Sequence, residues 1–203
     1  MRAVLVLMPV FLLLAAAGCP AKNYDYPYNK EPDPRNKELV LGVGDTISIN
    51  VWEQKDLNTE ATIRADGTIT MPLVGDLKAA GETPSALKAQ ISKRIQDFVK
   101  LAPGNSELVT IAVKEWRSYR FRVQGEVVRQ GVFTSDHFVT VADAIAMAGG
   151  VTRFAKRQEV KLFREDKQTR QTKEIPINYD LIANGSRLDM NIYLLPDDTI
   201  YVP

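Results

Sequence analysis

The sequence predicts an α+β fold built mainly from short strands, and three observations predict it. Apolar and polar residues alternate over Thr46–Trp52 and again from Leu108 onward, the period-two pattern of half-buried strands. A single long stripe at spacings of three and four, Leu87, Ile91, Ile95 and Phe98, marks one substantial helix. A shorter helical pattern, Val141–Ala148, lies in the second half. With the first 19 residues set aside for the reasons below, about 184 remain, enough for one domain or two small ones with real cores.

Residues 1–18 carry Arg2, an apolar run from Ala3 to Leu14 and then small residues up to Cys19. The run is well short of the roughly 20 apolar residues that span a bilayer, so it reads as a signal peptide. Cys19 is the only cysteine in the chain and has no intramolecular disulfide partner. Residues 19–37 hold four prolines and three unperiodic tyrosines, Tyr24, Tyr26 and Tyr28. They read as an extended tether with a reach of roughly 50 to 60 Å.

The first strand, Thr46–Trp52, turns Ile47, Ile49 and Val51 to one side and is fed by a turn at Gly42, Gly44 and Asp45. A glycine pair of this kind cradles phosphate only when a helix N-terminus follows, and here a strand follows. Asp66-Gly67 joins the short runs 62–65 and 68–73, and this dipeptide tolerates the positive φ of a tight hairpin. Thr83 is placed to cap the long helix and Pro84 suits its first position. Its apolar stripe is expected to cover one face of the preceding sheet.

In the second half, Val109, Ile111 and Val113, then Phe121 and Val123, then Val132 and Phe133 continue the strand pattern. Thr140 caps the short helix, with Asp143 in the capping-box position, and Gly149-Gly150 end it. A strand over Val160–Arg164 and the closing segment Leu194–Pro203 complete the series.

Composition narrows the function. Beyond residue 19 only Arg2 is lost from 26 Lys+Arg against 25 Asp+Glu, so the remainder balances at 25 each and offers no electrostatic footprint for nucleic acid. His137 is the only histidine, which excludes His-based metal clusters and dyads. No cofactor is expected. Asp197-Asp198, and Asp66 with Asp76, are the carboxylate pairs on offer for glycan cleavage, but each lies beside a turn, where aspartate caps backbone amides. Nothing sets them at the roughly 5 to 9 Å that glycosidases need, and no enzyme is expected. The stretch 114–122, KEWRSYRFR, interleaves cations with aromatics. Trp116, Arg117, Tyr119 and Arg120 are the candidate contacts for an anionic sugar polymer, by stacking and charge. A strand with a charged solvent face is the plainer reading of the same residues.

The run 41–81, LGVGDTISINVWEQKDLNTEATIRADGTITMPLVGDLKAAG, closely resembles the N-terminal domain of the outer-membrane polysaccharide export lipoproteins of the Wza type. Residues from VQGEVVRQGVFTSDHFVTVADAIAMAGGVT onward resemble a soluble-ligand-binding (SLBB) β-grasp domain, in which a small mixed sheet wraps one helix. Val43 stands where that family commonly has proline. The resemblance implies a polysaccharide export domain over 38–117 and a β-grasp domain over 118–203. The small residues before Cys19 resemble a lipobox with Ala16 at the position where leucine is commonest, and imply a lipidated Cys19. Pro20 in place of aspartate implies delivery to the periplasmic face of the outer membrane.

The function implied is a lipid-anchored component of a capsule or exopolysaccharide secretion machine, forming or lining part of the export channel as a homo-oligomeric ring. The partners implied are the polymer, an inner-membrane copolymerase and, because the larger exporters continue into a pore-lining helix beyond the position of Pro203, a separate outer-membrane barrel or exporter. A glycan-binding regulatory lipoprotein of the same complex is the rival reading.

Overall fold

The alternation at Thr46–Val51 forms strand β1 in a computed structural model, which describes residues 25–96, 98, 108–166 and 169–203. Ile47, Ile49 and Val51 are buried, and β1 is the middle of a three-stranded antiparallel sheet in the order β2-β1-β5. Its partners are β2 (Thr59–Thr62) and β5 (Val109–Glu115), with Thr46 opposite Thr62 and Val51 opposite Val109.

The Asp66-Gly67 turn is present, with Gly67 at φ +79° and Asp66 Oδ1 accepting from Thr68 N at 2.9 Å. The hairpin expected to flank it closes but stays short: Gly67 N donates to the Arg64 carbonyl at 2.8 Å and Arg64 N to the Thr68 carbonyl at 2.9 Å, and the pairing goes no further. Ile63 N donates to the Asp45 carbonyl and Gly44 N to the Ile63 carbonyl, so the chain leaving β2 stays committed to the turn before β1. Strand β3 (Thr68–Met71) pairs instead with β4 (Gly75–Lys78) around Pro72–Val74, where Leu73 takes φ +63°.

Helix α1 (Pro84–Ile95) starts as expected, with Thr83 Oγ1 accepting from Ala86 N at 3.2 Å. Leu87, Ile91 and Ile95 are fully buried and join β1, β3 and β4 side chains in the first core. Each such burial stabilises by about 1.5 to 3 kcal/mol. Phe98 leaves the stripe: it falls beyond the end of the helix and is exposed.

The second core is carried by a five-stranded mixed sheet in the order β7-β6-β10-β8-β9. These strands are β6 (Arg120–Gly125), β7 (Gly131–Thr134), β8 (Val160–Glu165), β9 (Thr172–Ile177) and β10 (Thr199–Val202). The last strand enters the middle, parallel to β6 and antiparallel to β8, which buries Ile200 and Val202 completely. Gly125 is needed at the end of β6, because a Cβ there would sit 2.0 Å from the Val202 carbonyl oxygen. Helix α2 (Val141–Met147) begins with the expected Thr140/Asp143 capping box and packs Val141, Ala144 and Ile145 into this core. A one-turn helix α3 (Tyr179–Ala183) follows β9.

The extended-tether expectation does not hold for residues 26–36. Tyr28 is 3% exposed and belongs to the second core, its hydroxyl donating to the Pro176 carbonyl. Glu31 accepts from Arg164 at 2.8 Å, from Lys173 at 2.6 Å and from the Tyr26 hydroxyl. Arg35 lies over the Tyr193 ring. Two aromatic rings and a carboxylate facing fixed cations give this stretch enough surface to offset the entropy of ordering it.

Candidate functional site

The segment Glu115–Ser118 joins the two sheets, and a carboxylate from the turn that feeds β1, at the same end of the first sheet, fixes it. Asp45, fully buried, accepts Gly42 N at 2.8 Å through Oδ2, Ser118 N at 2.7 Å through Oδ1 and the Ser118 hydroxyl at 2.8 Å through Oδ2. Gly42 permits the approach, since a Cβ there would come within 2.3 Å of Ser118 Cβ. The Leu41–Asp45 turn is therefore also a bolt across the junction. A turn-capping aspartate and one that reaches 73 residues along the chain look alike in sequence, so only the turn was legible there.

Three rings brace this junction. Trp116 stacks on Tyr119 with centroids 4.5 Å apart, and Phe138 meets both edge-on at 5.0 and 5.5 Å. Tyr119 is fully buried; its hydroxyl accepts Val139 N at 3.1 Å and donates to the Leu194 carbonyl at 3.2 Å. Burial raises its phenol above the ordinary value. This corrects the expectation of polymer contact at Tyr119, which has neither free surface nor a free hydroxyl. Alternation puts Tyr119 on the same side as Phe121 and Val123, and that signal was available. Trp116 is half-buried, and its indole N–H finds no acceptor among the described residues.

The four candidate contacts do not converge on one site. Trp116 and Arg117 line a shallow cleft of about 550 Å³ with Lys114, Asp136 and His137. Arg120 lies instead beside a smaller recess with Arg122, Val132 and Asp197. Neither arginine is bare: Arg117 pairs with Glu115 at 2.8 Å and Arg120 with Asp197 at 3.0 Å, all four side chains being half or more exposed. Exposed pairs of this kind are worth roughly 0 to 1 kcal/mol, so an anionic ligand can displace the carboxylates at little cost. Cys19 lies outside the described residues.

The carboxylate pairs are dispersed by their partners. Asp198 is buried against Arg164, its carboxyl raised by burial with the guanidinium pulling against it, whereas Asp197 faces solvent beside Arg120. Asp66 and Asp76 both face Arg64, at 3.6 and 3.0 Å. Hydrogen bonds from Thr68 and Thr70 respectively lead in lowering their carboxyls. Each acid is thus engaged by a neighbouring arginine, and neither pair is arranged as donor and nucleophile. No group of three His, Cys, Asp or Glu among the described residues is placed to hold a metal ion. No helix among them is long and apolar enough to cross a membrane.

Comparison with known proteins adds independent findings. Residues 33–114 match the model of the polysaccharide biosynthesis/export protein family, and residues 120–178 match that of the SLBB domain. A capsule polysaccharide export protein of Haemophilus influenzae is 29% identical over 151 residues, which cover 62% of this chain and 35% of that protein. An EPS I polysaccharide export outer membrane protein of Ralstonia nicotianae is 29% identical over 153 residues, covering 63% of this chain and 39% of that one. A capsule polysaccharide export outer membrane protein of Neisseria meningitidis is 25% identical over 151 residues, covering 62% and 36%. The chain thus spans well under half the length of these relatives. The two matches divide at the Glu115–Ser118 junction and together take in most of the chain. They describe export components and not enzymes, in keeping with an α+β fold of two small cores whose carboxylates are spent on structure. By sequence and by architecture, this chain belongs to the polysaccharide biosynthesis/export protein family, with an SLBB domain following the export domain.

Proposed function

We propose that this protein is a component of the machinery that moves capsule or exopolysaccharide to the cell surface, lining part of the polymer's path at the periplasmic face of the outer membrane. The observation that carries the reading is the order of the matches: an export domain followed directly by an SLBB domain, in a chain similar to three proteins named for polysaccharide export. The units extend over 38–117 and 118–203, and copies of the chain assemble as a ring. The Arg117 cleft supplies contacts to anionic groups of the passing polymer, by the weak, exchangeable pairing described above. Weak contacts suit a conduit, because a polymer that must move on cannot be held tightly at each point. An inner-membrane copolymerase and an outer-membrane passage are the partners.

Cys19 carries the lipid anchor in this reading. Because Tyr26 and Tyr28 pack on the second domain, six residues, and so seven Cα-to-Cα steps, separate the anchor from the folded body. That is a reach of roughly 25 Å at full extension, about half of what a tether running to residue 37 would give. The second domain then lies nearest the membrane.

Deleting the coding sequence and measuring polymer at the cell surface and in the periplasm tests the proposal. Loss outside with accumulation inside, restored by the wild-type gene and not by Cys19→Ser, is the expected result. Normal surface polymer in the deletion strain would overturn it.

A further inference from the structure

At the opposite end of the first sheet from the junction, β1 runs into a tight turn, Val51–Gln54, closed by Gln54 N donating to the Val51 carbonyl at 3.2 Å. Trp52 occupies its second position and is 67% exposed. Glu53 occupies the third with φ +59°, in the left-handed region that this position demands and that glycine or asparagine ordinarily fills. The strain yields no burial of the indole, which belongs to neither core. What it does is to hold the largest aromatic surface in the chain out over a cleft.

That cleft measures about 860 Å³, and its walls include Asn50, Trp52, Glu53, Lys55, Asp56 and Asn58. The polar groups are held by backbone. Leu57, 3% exposed, anchors the short 3-10 turn Lys55–Leu57 and so positions Lys55 and Asp56 at the rim. Asn58 Oδ1 accepts Val51 N at 2.8 Å, which fixes the amide and leaves its NH2 as the ligand-facing donor. An aromatic plate, a backbone-held carboxamide and rim carboxylates around a concavity are the complement of a sugar ring. The axial C–H face of a pyranose lies on the indole, while its equatorial hydroxyls both donate and accept. A protein partner would be expected to meet a largely apolar patch, whereas only Val51, Trp52 and Leu108 of the nine wall residues are apolar.

We propose that Trp52 and this cleft form a saccharide-binding subsite on the export domain. It is distinct from the Arg117 cleft and takes the opposite class of residue. Two carboxylates against one ammonium at the rim disfavour a uronic acid and select a neutral or N-acetylamino hexopyranose. The choice of a saccharide rests on the polysaccharide reading above. A polymer that alternates acidic and neutral units would then meet one cleft for each.

The chain has two tryptophans, so proton–nitrogen NMR of the mature protein shows two indole signals, one in the cleft and one in the junction. Chitohexaose, and size-fractionated oligosaccharides from partial acid hydrolysis of the producing strain's own surface polymer, are the probes. The expected result is a saturable shift of the Trp52 signal with the Trp116 signal unmoved. Trp52→Ala is expected to weaken binding at least ten-fold, and Trp52→Phe three- to ten-fold, with thermal midpoints unchanged because the ring is exposed. Glu53→Gln, which removes one rim carboxylate without touching the indole, keeps the test open should either tryptophan variant fold poorly; it is expected to weaken binding about two- to five-fold while the Trp52 signal still shifts. No shift with either probe at millimolar concentration would overturn the proposal. A Trp52 shift that follows protein concentration and not saccharide would overturn it too, assigning the ring to contact with a second copy. Deletion separates the two readings: loss of export in the deletion strain with no saccharide binding leaves the export function standing and removes only this site.

Discussion

Two buried carboxylate clusters hold the molecule together, and they work on different principles. Asp45 bolts the junction with three donors that are all uncharged, Gly42 N, Ser118 N and the Ser118 hydroxyl. Arg164, 7% exposed, instead draws Glu31 and Asp198 around one guanidinium and donates as well to the Tyr193 carbonyl. The first tie is geometric, with glycine and serine letting two loops touch. The second is ionic and brings three distant stretches onto one cation, closing the N-terminal segment over the second domain. A tie made of neutral donors is indifferent to a missing countercharge, whereas an ionic one fails as a unit when any member is removed.

The largest effect is therefore expected at Arg164. Arg164→Ala leaves Asp198 buried without its cation and Glu31 with Lys173 as its remaining one, and should cost about 3 to 5 kcal/mol, read as a fall in the urea midpoint at unchanged slope. Arg164→Met combined with Asp198→Leu removes the stranded charge and should recover most of the loss. If the double variant were as unstable as Arg164→Ala, the contrast drawn here would be wrong.

Asp45→Ala is expected to come next, at about 2 to 3 kcal/mol, because the Ser118 and Gly42 amides lose their acceptor in a place water reaches poorly. Its particular signature is local: limited proteolysis should begin to cut within Glu115–Ser118, which the wild type protects. Arg164→Ala should not expose that segment.

These two ties also mark where the sequence was legible. Strand and helix identities were, because periodicity and caps are local: Ile47, Ile49 and Val51 on β1, Thr83 on α1, and Thr140 with Asp143 on α2 all read directly from spacing. The β3–β4 hairpin was not, since the positive φ falls on Leu73 as well as on Gly75 and the strand pattern runs through the turn without a break. Nor was the entry of β10 between β6 and β8, which depends on the whole topology. At the candidate site, exposure of Arg117 and Arg120 was legible and the burial of Tyr119 could have been. The roles of Asp45, Glu31 and Arg164 were not, because the partners that define them are 29 to 133 residues away.

Acid should separate the members of the ionic tie. Burial works to raise the Glu31 carboxyl, but hydrogen bonds from Lys173 and Tyr26 and the charge of Arg164 outweigh it and hold it below its ordinary value of 4.5. A lowered folded value means that the stabilisation is fully present above 4.5 and is lost as pH falls through the folded value. Asp198 runs the other way, since burial raises it, so global stability blurs the effect and a local measurement is required. The protection of the amides at residues 26–31, relative to their intrinsic exchange, should fall as pH drops below 4.5 while α2 stays protected. Glu31→Gln should show that loss of protection already at pH 7, at a cost of about 1 to 2 kcal/mol.

The smallest effect on stability and the sharpest on function is expected at the surface pairs that neither tie needs. Arg117→Ala removes an exposed cation whose pairing with Glu115 is worth at most about 1 kcal/mol, so the folded protein should be unchanged within about 0.5 kcal/mol. If that cation meets the polymer, surface polysaccharide should fall at equal protein level. Arg120→Ala, in the separate recess beside Asp197, supplies the internal control, because it deletes the same charge from the same strand neighbourhood without touching the Trp116 cleft. A loss of export with Arg117→Ala alone would localise polymer contact to the junction. Equal losses would instead make net positive charge along the edge the relevant quantity. Unchanged export in both would return these arginines to the solvent face of an ordinary strand, and leave the rigidity that Asp45 confers as the junction's whole contribution.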